Sequence, residues 1–153
     1  MVKTHYEILF EKMLQEYHVP YLCLREAKRV TLGNLKLKNF DFIVFSKEGV
    51  FLAEVKGYGK YYPDTNVSVD DVIGLKAWED KFKEYTDKVK AIFVFFYKGE
   101  DGRHFVKSID VREYDRLKRH RARYYHKGGT VALTRSLAIQ VLKDIGSLVP
   151  ELK

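Results

Sequence analysis

Seven consecutive residues, Ala91-Ile92-Phe93-Val94-Phe95-Phe96-Tyr97, carry no charge and after the alanine are all β-branched or aromatic. A strand wetted on one face alternates apolar and polar residues, so a run without alternation is a strand covered on both faces. The chain is therefore expected to build a sheet with a packed layer on each side of this strand. Gly99-Glu100-Asp101-Gly102 is a turn, and His104 to Ile109 is expected to return as the neighbouring strand.

The second constraint is Asn39 to Gly57, NFDFIVFSKEGVFLAEVKG, which reads as two strands joined by the polar turn Ser46-Lys47-Glu48-Gly49. By the two-residue period, Asp41, Ile43 and Phe45 share one face of the first strand, and Leu52, Glu54 and Lys56 one face of the second. Antiparallel pairing then brings Asp41, Glu54 and Lys56 to the same end. Two carboxylates suit a hard divalent cation, with the Val55 carbonyl as a third oxygen, and Lys56 would orient or deprotonate the attacking water. The alternative for this trio is a cross-strand salt bridge at a sheet end.

Residues 4 to 17 carry Tyr6, Leu9, Phe10, Met13, Leu14 and Tyr17 at helical spacing, with Thr4 as N-cap. Glu7 stands three residues after Thr4, the spacing of a capping box. Its other reading is a carboxylate that points toward the hairpin and supports the metal site. Pro20 ends the helix, Tyr21 to Leu24 reads as a short strand, and 26 to 38 as a polar, basic connection interrupted by Gly33.

After the hairpin, Gly57-Tyr58-Gly59-Lys60-Tyr61-Tyr62-Pro63 is a tyrosine-rich loop. Its rings beside Lys60 either stack on nucleic-acid bases or pack on their own domain. Ser68-Val69-Asp70-Asp71 opens a second helix, whose stripe is Val72, Leu75, Trp78, Lys81, Phe82 and Tyr85, with Trp78 a core anchor and Lys76 and Glu79 off the stripe. Asp110 with Glu113 opens a basic helix over about 111 to 123, placing Val111, Tyr114 and Leu117 inward and Arg112, Arg116, Arg119 and Arg123 on the opposite side. A strand at 130 to 134 and a helix at 136 to 145 complete the chain.

This order of elements fits an α/β or α+β domain with a central mixed β-sheet flanked by α-helices. The 153 residues, 46% hydrophobic, are expected to form a single domain spanning 1–153. The lone cysteine, Cys23, sits in an apolar run and is expected to be buried and inert, so no internal disulfide forms. No apolar signal core and no run of about 18 apolar residues is present, which points to a cytoplasmic protein without membrane contact. Of the formal charge of +7, the segment from Arg112 to Lys127 supplies +5, from seven basic and two acidic residues. Such a segment suits a polyanion, most commonly a nucleic acid, or is a solvated helix face.

Helix, then strands bearing Asp41 and Glu54-Val55-Lys56, then helix and strand, resembles the PD-(D/E)xK nuclease superfamily, with its restriction-endonuclease-like core. Several members carry a supporting helix glutamate where Glu7 stands. The opening His5-Tyr6-Glu7-Ile8-Leu9-Phe10-Glu11 is similar to the HYExAFE family of uncharacterised proteins, as are Pro20-Tyr21, Lys38-Asn39-Phe40-Asp41-Phe42, Glu54-Val55-Lys56-Gly57, Asp70-Asp71 with Trp78, and Phe93-Val94-Phe95. Leu9 replaces that family's alanine, no proline precedes Asp41, and the second helix has no Gln-x-x-x-Tyr as in the exonuclease branch.

The resemblance implies hydrolysis of phosphodiester bonds in DNA, with RNA left open, by Mg²⁺ or Mn²⁺ held by Asp41 and Glu54 while Lys56 positions water. Lys60 and the arginines at 112, 116, 119 and 123 would engage phosphates. Cutting both strands of a branched DNA, as small junction resolvases of the superfamily do, would call for a homodimer. The competing expectation is a catalytically inactive nucleic-acid-binding module that keeps the nuclease fold.

Overall fold

The computed structural model describes residues 4–24, 29–32, 35–120 and 130–153. In chain order the elements are α1 (His5–Glu16), β1 (Tyr21–Cys23), β2 (Arg29–Leu32), β3 (Leu35–Lys38), β4 (Phe42–Ser46), β5 (Gly49–Gly57), β6 (Thr65–Ser68), α2 (Val69–Lys83), β7 (Val89–Lys98), β8 (His104–Asp110), α3 (Val111–Leu117), β9 (Arg119–His120), β10 (Thr130–Leu133), α4 (Arg135–Val141), β11 (Lys143–Asp144) and α5 (Ile145–Leu148), with a final 3₁₀ turn at Pro150–Leu152.

The main sheet has six strands in the order β1-β4-β5-β7-β8-β11. Every pairing is antiparallel except β5 with β7, so the sheet is mixed, as expected. The uncharged run lies inside β7 and is covered on both faces. Ala91, Phe93, Phe95 and Tyr97 pack with Leu52, Val72, Leu75 and Tyr114 on one side. Ile92, Val94 and Phe96 pack with Phe10, Leu14, Phe42 and Val55 on the other. Burying a side chain of this size is worth about 1.5–3 kcal/mol relative to leaving it in water, so both layers are anchored through β7.

Helix α1 lies on the second of these faces and α2 on the first. The parallel β5–β7 pairing requires a crossover, and β6 with α2 supplies it. Gly57 lets α1 approach: a β-carbon there would fall 1.9 Å from the Tyr6 ring. The N-terminus of α1 therefore sits against the same end of β5 that carries Glu54 and Lys56.

Several local expectations are corrected. The basic connection at 26 to 38 contains a hairpin, β2 with β3, joined Val30 to Leu37 in register. The basic helix ends at Leu117 rather than 123, because Arg119 and His120 leave it to pair with Ala132 and Val131 of β10. The last helix stops at Val141, where β11 then pairs with β8. Glu79 lies in the buried stripe of α2, at 3–4 spacing from Val72 and Leu75, whereas Tyr85 falls beyond the helix end and is exposed. Cys23 is partly buried rather than fully enclosed.

Candidate active site

The β4–β5 register pairs Phe42 with Ala53, and the Asp41 N–H donates to the Ala53 carbonyl at 3.1 Å. The next residues in register are Asp41 and Glu54, on the face that α2 covers. Asp41 Oδ2 accepts the Val55 N–H at 2.8 Å, continuing the ladder with a side chain where β4 ends. Within a strand the N–H and C=O of one residue point to the same side, so the Val55 carbonyl is also directed toward the Asp41 edge.

The carboxyl groups of Asp41 and Glu54 interact directly, so their titrations are linked. Glu54 is 4% exposed. Burial, followed by the interaction with Asp41 and its charge, holds the Glu54 carboxyl well above its ordinary value. Burial also raises Asp41, only partly offset by its bonds to Glu54 and Val55, and the negative charge of Glu7 raises it further.

Glu7 fills the capping role read from its position. Its carboxylate accepts the Thr4 N–H at 2.8 Å and Thr4 Oγ1 accepts the Glu7 N–H at 3.2 Å, a complete capping box. From that cap its field reaches Asp41.

Lys56 lies on the same face of β5 as Glu54, and its ammonium stands 2.9 Å from Asp71 Oδ2. This contact is an ion pair by distance; the oxygen makes no aligned hydrogen bond. The other oxygen, Asp71 Oδ1, accepts from Lys38 at the end of β3. Asp71 is 2% exposed. Burial alone would push its carboxyl up, but the two ammonium groups outweigh burial and hold it below the ordinary value. Burial likewise works against a charged Lys56, yet the charge carried by the Asp41–Glu54 pair and by Asp71 outweighs it and holds the amine above its ordinary value.

Asp71 and Lys38 are the site's unanticipated members. Asp71 was masked by its place in the first turn of a helix, where acids are ordinary; the signal for it was spacing, since 71, 75, 78 and 82 continue one helical stripe.

The basic residues are not gathered as expected. Arg112 Nε donates to Glu79 Oε1 at 2.6 Å and its terminal nitrogen to Asp80, while Arg116 pairs with Glu113 at 2.6 Å. Both arginines line a cavity of about 800 Å³ with Val89 and Asp110. That cavity lies at the opposite end of β7 from Phe95, the register partner of Lys56. Arg119 is on β9, off the helix face assigned to it, and Arg123 lies outside the described residues. Lys60 is exposed in the loop after β5, where its carbonyl accepts the Lys98 N–H at 3.2 Å.

Among the described residues no three His, Cys, Asp or Glu side chains converge on one point, and no helix is long and apolar enough to cross a membrane. Oxygen donors from Asp41, Glu54 and Val55 nonetheless suit a hard cation that retains several waters.

The architecture is thus a mixed sheet flanked by helices, with the β4–β5 hairpin carrying two carboxyls and a lysine to one strand end. Among solved structures, the chain is similar to Hjc of Archaeoglobus fulgidus, a Holliday junction resolvase from an archaeal hyperthermophile. The TM-score is 0.66 at 14% identity, over 95% of this chain and 98% of that one. The chain thus has the fold of a Holliday junction resolvase. No family model and no curated protein sequence matches it.

Proposed function

We propose that the protein is a metal-dependent nuclease that hydrolyses phosphodiester bonds in DNA, selecting branched structures such as junctions or flaps. The observation that carries this reading is the buried Asp41–Glu54 carboxyl pair with Lys56 beside it, at the end of β5, in a chain with a resolvase fold. Mg²⁺ or Mn²⁺ bound there would supply Lewis acidity at a phosphoryl oxygen and a more acidic water. Asp41 and Glu54 present carboxyl oxygens. Lys56, anchored by Asp71, offers a fixed positive charge that orients water and balances the anionic phosphate. Glu7 holds the mouth of the site through the α1 cap.

One chain carries one such trio, so paired cuts across a junction require two copies; a homodimer is part of this proposal. The HYExAFE likeness of the sequence is consistent with this reading.

The second reading, a catalytically silent nucleic-acid-binding module, is favoured by the near-complete burial of Glu54 and the lack of a third convergent side-chain ligand among the described residues. Cleavage of labelled single-stranded, duplex, flapped and four-way-junction DNA in Mn²⁺, Mg²⁺ or EDTA separates the two. Metal-dependent cutting lost in Glu54→Ala and Lys56→Ala supports the nuclease. No cutting, with equal salt-sensitive binding by all three proteins, sinks it in favour of the module.

A further inference from the structure

We infer that Tyr61 and Arg135 form a stacking platform for an unpaired nucleotide beside the candidate active site. This rests on reading the chain as a nucleic-acid protein, but not on its being able to cut. The loop after β5 carries three tyrosines, and two are consumed internally. Tyr58 stacks on Tyr97 at 5.5 Å and donates its hydroxyl to the Asn66 carbonyl at 2.6 Å. Tyr62 is 7% exposed, its ring 4.9 Å from Tyr97 and 5.4 Å from Phe105.

Tyr61 differs: it is 46% exposed. Its ring is braced edge-on by Tyr62 at 5.0 Å and at a tilt by Phe105 at 5.8 Å, and the Arg135 guanidinium lies 5.8 Å from its centroid. Tyr62 has a φ of 41°, a left-handed conformation uncommon outside glycine, and this kink turns adjacent tyrosines in different directions, one in and one out. An exposed aromatic already ordered by its neighbours loses little freedom when a base stacks on it, and an adjoining guanidinium strengthens the stack.

Its location fits. Tyr97 pairs with Phe105 at the same sheet end where Lys56 pairs with Phe95. Phe105 is on β8, two strands from β5, a lateral distance of about 10 Å. With the two residues from Phe95 to Tyr97 adding about 7 Å along the strand, the span from Lys56 is about 12 Å, on the order of three to four stacked nucleotides along one strand. Exposed Lys60, Lys98 and Arg103 lie in the neighbouring segments and form no ion pair among the described residues, but Glu100 and Asp101 occupy the adjoining turn. The surface is thus not densely basic, and its distinguishing element is the ring, which selects bases free of a duplex stack.

The test is fluorescence anisotropy of the full chain in EDTA with a labelled single-stranded oligonucleotide and the matching duplex. Tyr61→Ala is expected to weaken single-strand binding roughly 5- to 100-fold and duplex binding less than about twofold. Tyr61→Phe, which keeps the ring, should stay within about twofold of wild type, and Arg135→Ala should fall between. Tyr61→Ala should leave the salt dependence unchanged, whereas Lys60→Ala should lower its logarithmic slope by about 0.7. Equal losses on both probes, undiminished single-strand binding by Tyr61→Ala, or no binding by wild type would each overturn the inference. Parallel assays with Mn²⁺ keep the two ideas apart. Tyr61-dependent binding without cutting removes the nuclease and leaves the platform; cutting with Tyr61-independent binding does the reverse.

Discussion

The Lys56 ammonium lies 2.9 Å from Asp71, a buried carboxylate on a different element that also receives Lys38. This pairing ties the end of β5 to α2 and to the β2–β3 hairpin. It also favours the charged form of Lys56 against the cost of its burial.

Asp71→Asn is expected to keep the shape but free Lys56. DNA cleavage should fall about tenfold or more while metal affinity, measured by calorimetry, changes little. Stability should drop by about 1–3 kcal/mol. Asp71 is depressed in the folded state, so its contribution is present above the ordinary carboxyl value and lost as pH falls through the folded one. The variant's deficit in urea melts should therefore hold steady from pH 7 to about 4 and shrink as pH falls below the ordinary value of 3.8.

Glu54→Gln tests the raised Glu54 carboxyl. Because Glu54 is raised in the folded protein, its contribution is present below the ordinary value of 4.5 and is lost as pH rises through the folded value. In EDTA, the variant should gain stability relative to wild type as pH climbs from about 5 to 8, read by denaturant midpoints. Mn²⁺ should offset that gain by stabilising wild type alone.

Gly57→Ala should cost about 1–3 kcal/mol, since the new methyl overlaps the Tyr6 ring and α1 must shift. Truncating Tyr6 to alanine in the same background should recover part of the loss. A double-mutant cycle on thermal or urea stability measures this coupling, and strict additivity would contradict the contact.

Arg112→Ala should behave as a core defect. Glu79 accepts from the Ala91 N–H at 2.6 Å as well as from Arg112, so removing the guanidinium weakens the brace between α2, β7 and α3. The expectation is a loss of about 1–3 kcal/mol with an unchanged salt slope for nucleic-acid binding. A reduced slope at full stability would restore Arg112 to the interface.

Much of the fold was legible because its signals are local. The unbroken run in β7 demanded two covering layers, the two-residue period of Asn39 to Gly57 put Asp41 opposite Glu54, and Thr4 with Glu7 announced the α1 cap. Each depends on neighbours only a few residues apart or on a single turn. The partners of the charges were not legible in the same way. Asp71 and Glu79 look like ordinary helix acids until the crossover carries α2 over β5 and β7, where burial makes each one recruit two cations. The arginines at 112 and 116 share one face of their helix, and in the folded chain Arg112 pairs with Glu79 and Asp80 while Arg116 pairs with Glu113. Sequence spacing determined which residues share a face; only the packed layers decided which charges are neutralised, because a buried charge is stable only where the fold delivers its counter-charge.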